Sequence, residues 1–144
     1  IQNSAASSSY TGMKAGIFER FLDDTSSKNT YDKGLAFEVF CQQLLEKMGF
    51  IVTKQGGSGD MGVDLIADDP GPLGGKTVIQ CKHYDEGTVA ADVVIQTLGM
   101  VTPSKANKAL VITTGRFTRD AKKFADENPL VELWDRDKLA ELAP

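Results

Sequence analysis

The chain has 144 residues and a mass of 15.5 kDa, enough for one domain with a single substantial core. Its 41% hydrophobic and 25% charged residues describe an ordinary globule, and no apolar run nears the roughly 20 residues that span a bilayer. A net charge of −4 and a pI near 5.0 argue against a non-specific polyanion binder. The second half nevertheless gathers Lys82, His83, Lys105, Lys108, Arg116, Arg119, Lys122 and Lys123, so a local basic face stays open.

Residues 1–12 are Ser-rich, begin with Ile, and lack the basic-then-apolar layout of a secretory signal; they read as a disordered lead-in. Residues 13–24 predict a helix with Met13, Ile17, Phe18, Phe21 and Leu22 as its apolar stripe, followed by a polar linker that ends near residue 29. A second helix is predicted over 32–48, stopped by Gly49. Its apolar face is Phe37, Phe40, Cys41, Leu44, Leu45 and Met48, and Glu38 falls at the rim of that face beside Leu45.

Three strands follow, over 50–53, 63–67 and 77–82. The first two are separated by the Gly-rich turn Gly56-Gly57-Ser58-Gly59-Asp60, the second and third by the Pro/Gly segment 68–75. A helix over 88–101, a strand over 108–114, a helix over 118–127, a strand over 130–134 and a last helix over 135–142 complete the chain. The order α-α-β-β-β-α-β-α-β-α predicts an α/β fold, a central mixed β-sheet flanked by helices, with residues 30–144 as one domain. Cys41 and Cys81 both fall in predicted buried elements. Two such thiols make no disulfide framework, which points to a reducing, cytoplasmic setting.

Chemistry enters where polar side chains interrupt apolar strands. Asp64 lies in the second predicted strand, and Gln80-Cys81-Lys82 closes the third. A charge inside a strand must be paired or bind metal, because stripping its water is costly. Strand alternation puts Gln80 and Lys82 on one face with Val78, while Ile79 and Cys81 point into the core. If the strands are neighbours, an acid, an amide and an amine converge at one sheet edge.

Such a set suits Mg²⁺, a hard cation that takes oxygen ligands and keeps several waters. Asp64, the Gln80 amide oxygen and the Cys81 main-chain carbonyl would bind it, with Glu38 supplying a second negative charge. Lys82 would orient and deprotonate a water or steady charge on phosphorus. Ser58 and His83 can touch a phosphate. Gln96, on the helix after the motif, can face the site but is not counted in this set. The plainer alternatives are a buried ion pair fixing strand register for Asp64, Gln80 and Lys82, and a solvated helix carboxylate for Glu38.

The stretches Gly34-Leu35-Ala36-Phe37-Glu38, Gly49-Phe50, the run from Gly56 to Asp64, and Gln80-Cys81-Lys82 are joined by Ala109-Leu110-Val111-Ile112-Thr113-Thr114-Gly115-Arg116-Phe117-Thr118 and Leu133-Trp134-Asp135. In this order they resemble the Mrr-like restriction endonucleases of the PD-(D/E)xK nuclease superfamily, in the branch with Gln in place of the motif's acidic residue. The resemblance covers residues 33–142. It implies the restriction-endonuclease-like fold and a Mg²⁺-dependent DNA endonuclease, with Mn²⁺ able to substitute, leaving 5′-phosphate and 3′-hydroxyl ends.

By the same resemblance Asp64, Gln80 and Lys82 map onto the catalytic motif and Glu38 onto the helix carboxylate. Partners implied are DNA, a second copy for double-strand cleavage, and a separate DNA-reading domain outside this chain. A junction-resolving or repair nuclease of the same superfamily and a catalytically silent DNA-binding module are the rival readings.

Overall fold

The computed structural model describes residues 16–55 and 62–144. The expected lead-in, the first residues of the first predicted helix and the whole Gly-rich turn from Gly56 to Asp60, Ser58 included, lie outside the described residues. Among those described, helices α1 (Ile17–Thr25) and α2 (Thr30–Lys47) precede a meander of β1 (Ile51–Lys54), β2 (Leu65–Asp68) and β3 (Lys76–Lys82). Then come β4 (Thr88–Val89), α3 (Ala91–Gly99), β5 (Lys108–Thr113), β6 (Arg116–Phe117), α4 (Arg119–Glu127), β7 (Val131–Trp134) and α5 (Arg136–Leu142).

The main sheet has the order β1-β2-β3-β5-β7. β1, β2 and β3 run antiparallel, as short hairpin-type connections allow. β3, β5 and β7 run parallel, because α3 and α4 provide the crossovers that parallel neighbours need. This is the mixed α/β sheet that the element order predicted.

Strand alternation divides the interior into two layers. On one face Leu65, Ala67, Ile79, Cys81, Leu110, Ile112 and Trp134 pack against Phe18 of α1, Phe37, Cys41, Leu44 and Leu45 of α2, and Leu139 of α5. On the other, Val78, Ala109, Val111 and Val131 pack with Val94 of α3, Ala121 of α4 and Phe117. Full burial of a side chain such as Phe37 or Ile79 contributes about 1.5–3 kcal/mol, so α2 is held to the sheet chiefly by this stripe. Both cysteines are buried free thiols.

Local signals set three of the five helix starts among the described residues. Asn29 accepts from the Asp32 N–H, Thr118 from Ala121 and Asp135 from Lys138, each relieving an orphan donor of a first turn.

Three expectations are corrected. Thr88 and Val89, predicted to start a helix, form β4, which pairs in parallel with β6; the helix begins only at Ala91. The second strand starts at Leu65 rather than at residue 63, leaving Asp64 just ahead of it. Met48, assigned to the apolar face of α2, is 45% exposed because the helix ends at Lys47 and the chain turns away.

The small β4–β6 sheet depends on a tight approach. A Cβ on Gly115 would stand 2.6 Å from the Gly87 carbonyl oxygen, which accepts the Arg116 N–H at 3.2 Å. Gly115→Ala should therefore force the two backbones apart and cost roughly 1–3 kcal/mol. Urea unfolding monitored by Trp134 fluorescence measures this; a variant as stable as the parent would show that the backbones have room to spare.

Candidate active site

β2 is paired with β3 only as far as Leu65 opposite Ile79, so the end of β3 runs past its antiparallel neighbour. Asp64 occupies the gap. Its N–H donates to the Ile79 carbonyl at 2.8 Å and its carbonyl accepts from Gln55 at 2.8 Å, which continues the extended path. Its carboxylate Oδ2 accepts the Cys81 N–H at 2.8 Å. A strand-edge amide needs a partner, and a carboxylate is a strong one. One oxygen of Asp64 is thereby fastened to the main chain of the Gln-Cys-Lys segment.

On the other edge of β3 the Lys82 carbonyl accepts from Thr114 at 3.2 Å. Backbone groups of successive strand residues alternate between edges, so the Cys81 carbonyl faces the Asp64 edge along with its N–H.

Gln80 is only 7% exposed and its Oε1 is buried with no hydrogen-bond partner among the described residues. An unsatisfied buried carbonyl costs about 1–3 kcal/mol and asks for an explanation. It lies against Gly62, whose φ of +84° is a left-handed conformation suited to glycine. A Cβ there would stand 3.3 Å from Gln80 Oε1, 3.2 Å from Gln96 Cδ and 3.3 Å from Gln96 Oε1. Gln96 is thus a neighbour of the site that residue patterning left out of the candidate set. Its only signal in the sequence was its place on the helix after the motif.

Glu38 lies on α2 with its side chain 21% exposed, and its Oε1 is 3.8 Å from Lys54 Nζ. The Cys81 thiol is pushed well above the usual thiol range, first by its hydrogen bond with Cys41, then by burial, then by the Cys41, Asp64 and Glu38 charges. Both carboxylates therefore sit close enough to sense the same side chain. The Cys81 side chain packs into the layer beneath α2 with Cys41, so it is the main chain of Cys81 that is presented at the Asp64 edge.

Among the described residues no three His, Cys, Asp or Glu side chains gather closely enough to hold a metal ion. A cation at this edge would rest on Asp64, with Glu38 near it, and on neutral oxygens. The unpartnered Gln80 Oε1 fits such a donor set. Lys82, the last residue of β3, shares its face with Gln80.

His83 lies apart from Gln80 and Lys82, toward α2. Its ring stands edge-on to Phe37 at 5.9 Å and lines a cavity of about 160 Å³ with Thr25, Ser26, Lys33, Thr114 and Arg136. Lys33 is ion-paired to Asp85 at 2.8 Å beside it. A larger cavity of about 560 Å³, lined by Leu45, Phe50, Leu73 and Trp134, lies at the opposite end of the sheet.

The profile of the restriction endonuclease family Mrr_cat matches residues 32–143. Among solved structures, the MspJI restriction endonuclease in complex with a 27-mer oligonucleotide is similar with a TM-score of 0.65 and 20% identity, over 99% of this chain and 35% of that one. The DNA modification-dependent restriction endonuclease AspBHI gives 0.64 and 14%, over 87% and 33%. A repair endonuclease from Pyrococcus abyssi gives 0.54 and 16%, over 76% and 48%. The chain therefore spans only about a third of the length of the first two and about half of the third. At these identities the likeness is one of fold. No curated protein matches the chain.

The geometry around His83, the chain's one histidine, carries a pH signature. Burial lowers its pKa, with Lys33 acting in the same direction and Asp85 and its own backbone opposing. As pH falls, the unfolded chain takes up the proton first, so stability declines. The contribution is complete above the unfolded value of about 6.5 and is lost as pH drops through the lowered folded value. His83→Gln should flatten this portion of a plot of unfolding midpoint against pH; an unchanged slope would show that another group titrates there.

Proposed function

The chain belongs to the Mrr-type restriction endonuclease family, and from that premise we propose that it hydrolyses DNA phosphodiester bonds with a divalent cation, Mg²⁺ or in its place Mn²⁺. The observation that supports this most is the buried, unpartnered Gln80 Oε1 on the same strand end as the main-chain amide that holds the Asp64 carboxylate.

In this reading Asp64, Gln80 Oε1 and the Cys81 carbonyl hold the cation, and Glu38 adds a second negative charge from α2. When bound, the cation activates a water and offsets the charge that develops on the phosphate oxygens. The Cys81 N–H holds Asp64 Oδ2, which fixes the carboxylate against the strand that carries Gln80. Lys82 Nζ, on the Gln80 face, orients the attacking water and donates to a phosphate oxygen as negative charge builds. The products are a 5′-phosphate and a 3′-hydroxyl.

One such site cuts one strand, so double-strand cleavage requires a second copy of the chain. Target choice is assigned to a separate DNA-recognition domain, in keeping with the fraction of MspJI and AspBHI that this chain spans. Ser58 in the Gly-rich turn, and His83 on the side toward α2, are proposed as further contacts to the DNA backbone.

The test is incubation with supercoiled plasmids, modified and plain, with and without Mg²⁺. Asp64→Ala and Lys82→Ala should each lower the nicking rate by at least about a hundredfold with the fold retained, Asp64→Ala melting somewhat below the parent because the Cys81 N–H loses its acceptor. Unchanged nicking by either variant would refute the assignment. Separately, Gln80→Glu should preserve or tighten Mn²⁺ binding in calorimetry, since a carboxylate replaces a neutral oxygen. Loss of binding would remove Gln80 from the ligand set.

A further inference from the structure

Gly62 is the meeting point of two carboxamides that come from different elements. Gln80 reaches it from the end of β3, Gln96 from the middle of α3. Each side-chain oxygen lies 3.3 Å from the position a Gly62 Cβ would take, so the two oxygens are at most twice that distance apart. That span is no more than a cation and one hydrogen-bonded water bridge together, at roughly 2 Å to the ion and roughly 3 Å per hydrogen bond.

α3 is anchored on either side of Gln96. Val94 and Thr97 are fully buried, and the Thr97 hydroxyl donates to the Val93 carbonyl at 2.8 Å. Gln96 itself is exposed, yet the end of its side chain is turned in against Gly62. A long polar side chain with free rotation in water loses entropy when it is held inward, and the orphaned Gln80 Oε1 is the group that its placement can serve.

We propose that Gln96 is a positioning residue of the metal site. Its carboxamide holds the Gln80 carboxamide and a water of the bound cation in place, and the bare Cα of Gly62 makes room for both. The proposal rests on the reading of Asp64 and Gln80 as metal ligands. It accounts for a site with few charges: where an acidic ligand is replaced by a neutral one, affinity depends more on how well the neutral donors are oriented.

The experiment uses the full chain. Mn²⁺ binding is measured by calorimetry and plasmid nicking is titrated against Mg²⁺ for the parent, Gln96→Ala and Gln96→Glu. Alanine is a good helix residue, so Gln96→Ala keeps α3 intact, and a thermal melt verifies this.

Gln96→Ala should weaken Mn²⁺ binding and raise the half-saturating Mg²⁺ concentration by about tenfold or more, with the rate at saturating Mg²⁺ within about threefold of the parent. Gln96→Glu should restore the midpoint or carry it below the parent's, because a carboxylate within reach of the ion adds charge. A Gln96→Ala titration that overlays the parent's overturns the proposal. So does a lower maximal rate at an unshifted midpoint, which would place Gln96 on the DNA instead. A parent chain that binds no metal and cuts no DNA would instead defeat the nuclease reading itself, which keeps the two failures distinct.

Discussion

The hydrogen bond from the Cys81 N–H to the Asp64 carboxylate is the constraint on which the site depends. The β2–β3 ladder begins at Leu65, one residue after Asp64, and β3 continues beyond that last pair to Lys82. In an ordinary sheet the next amide would find a carbonyl. Here it finds a side-chain oxygen, and the acid is locked to the strand that carries the amide and the amine. The same bond explains why a half-buried carboxylate is tolerated: it is satisfied before any substrate or ion is considered.

Around that bond the molecule separates apolar support from polar chemistry by strand alternation. Ile79 and Cys81 belong to the layer beneath α2, whereas Val78 belongs to the layer beneath α3. The Gln80 side chain shares the α3 side and meets Gln96 there through Gly62. The two carboxylates approach from the other direction, Asp64 along the sheet edge and Glu38 from the rim of α2, and both bear on the Cys81 thiol. Two helices, α2 and α3, and the β2–β3 edge are therefore needed to assemble a handful of polar atoms. The large apolar cavity at the far end of the sheet takes no part in this.

Charge is used sparingly. With Gln80 neutral and Glu38 close to Lys54, Asp64 is the one carboxylate fastened to the motif strand. In the proposed metal site, neutral oxygens such as the Gln80 amide and the Cys81 carbonyl would contribute less Coulombic attraction than a carboxylate, so their orientation would have to be fixed by packing. The burial of Gln80, the close quarters at Gly62 and the anchoring of α3 supply that rigidity.

How much of this was legible in the residues differs from place to place. The helix faces of α1 and α2, the five main strands and their flanking helices follow from hydrophobic periodicity and from Asn29, Thr118 and Asp135 at the caps, all of which act within a few residues. The split of Gln80 and Lys82 from Ile79 and Cys81 follows from the two-residue period of a strand. β4 was missed because Thr88 and Val89 pair with Arg116 and Phe117, distant in the chain. The start of β2 was missed because Asp64, whose backbone still bonds to Ile79 and Gln55, leaves the regular ladder register and meets the Cys81 N–H with its side chain. Gln96 was named as able to face the site but left out of the candidate set, because nothing local ties a surface glutamine to a glycine 34 positions earlier. Local chemistry and periodicity determined the elements and the candidate atoms. Their meeting was decided by the tertiary fold, because a hydrogen bond or a van der Waals contact acts over a few ångströms of space and is blind to distance along the chain.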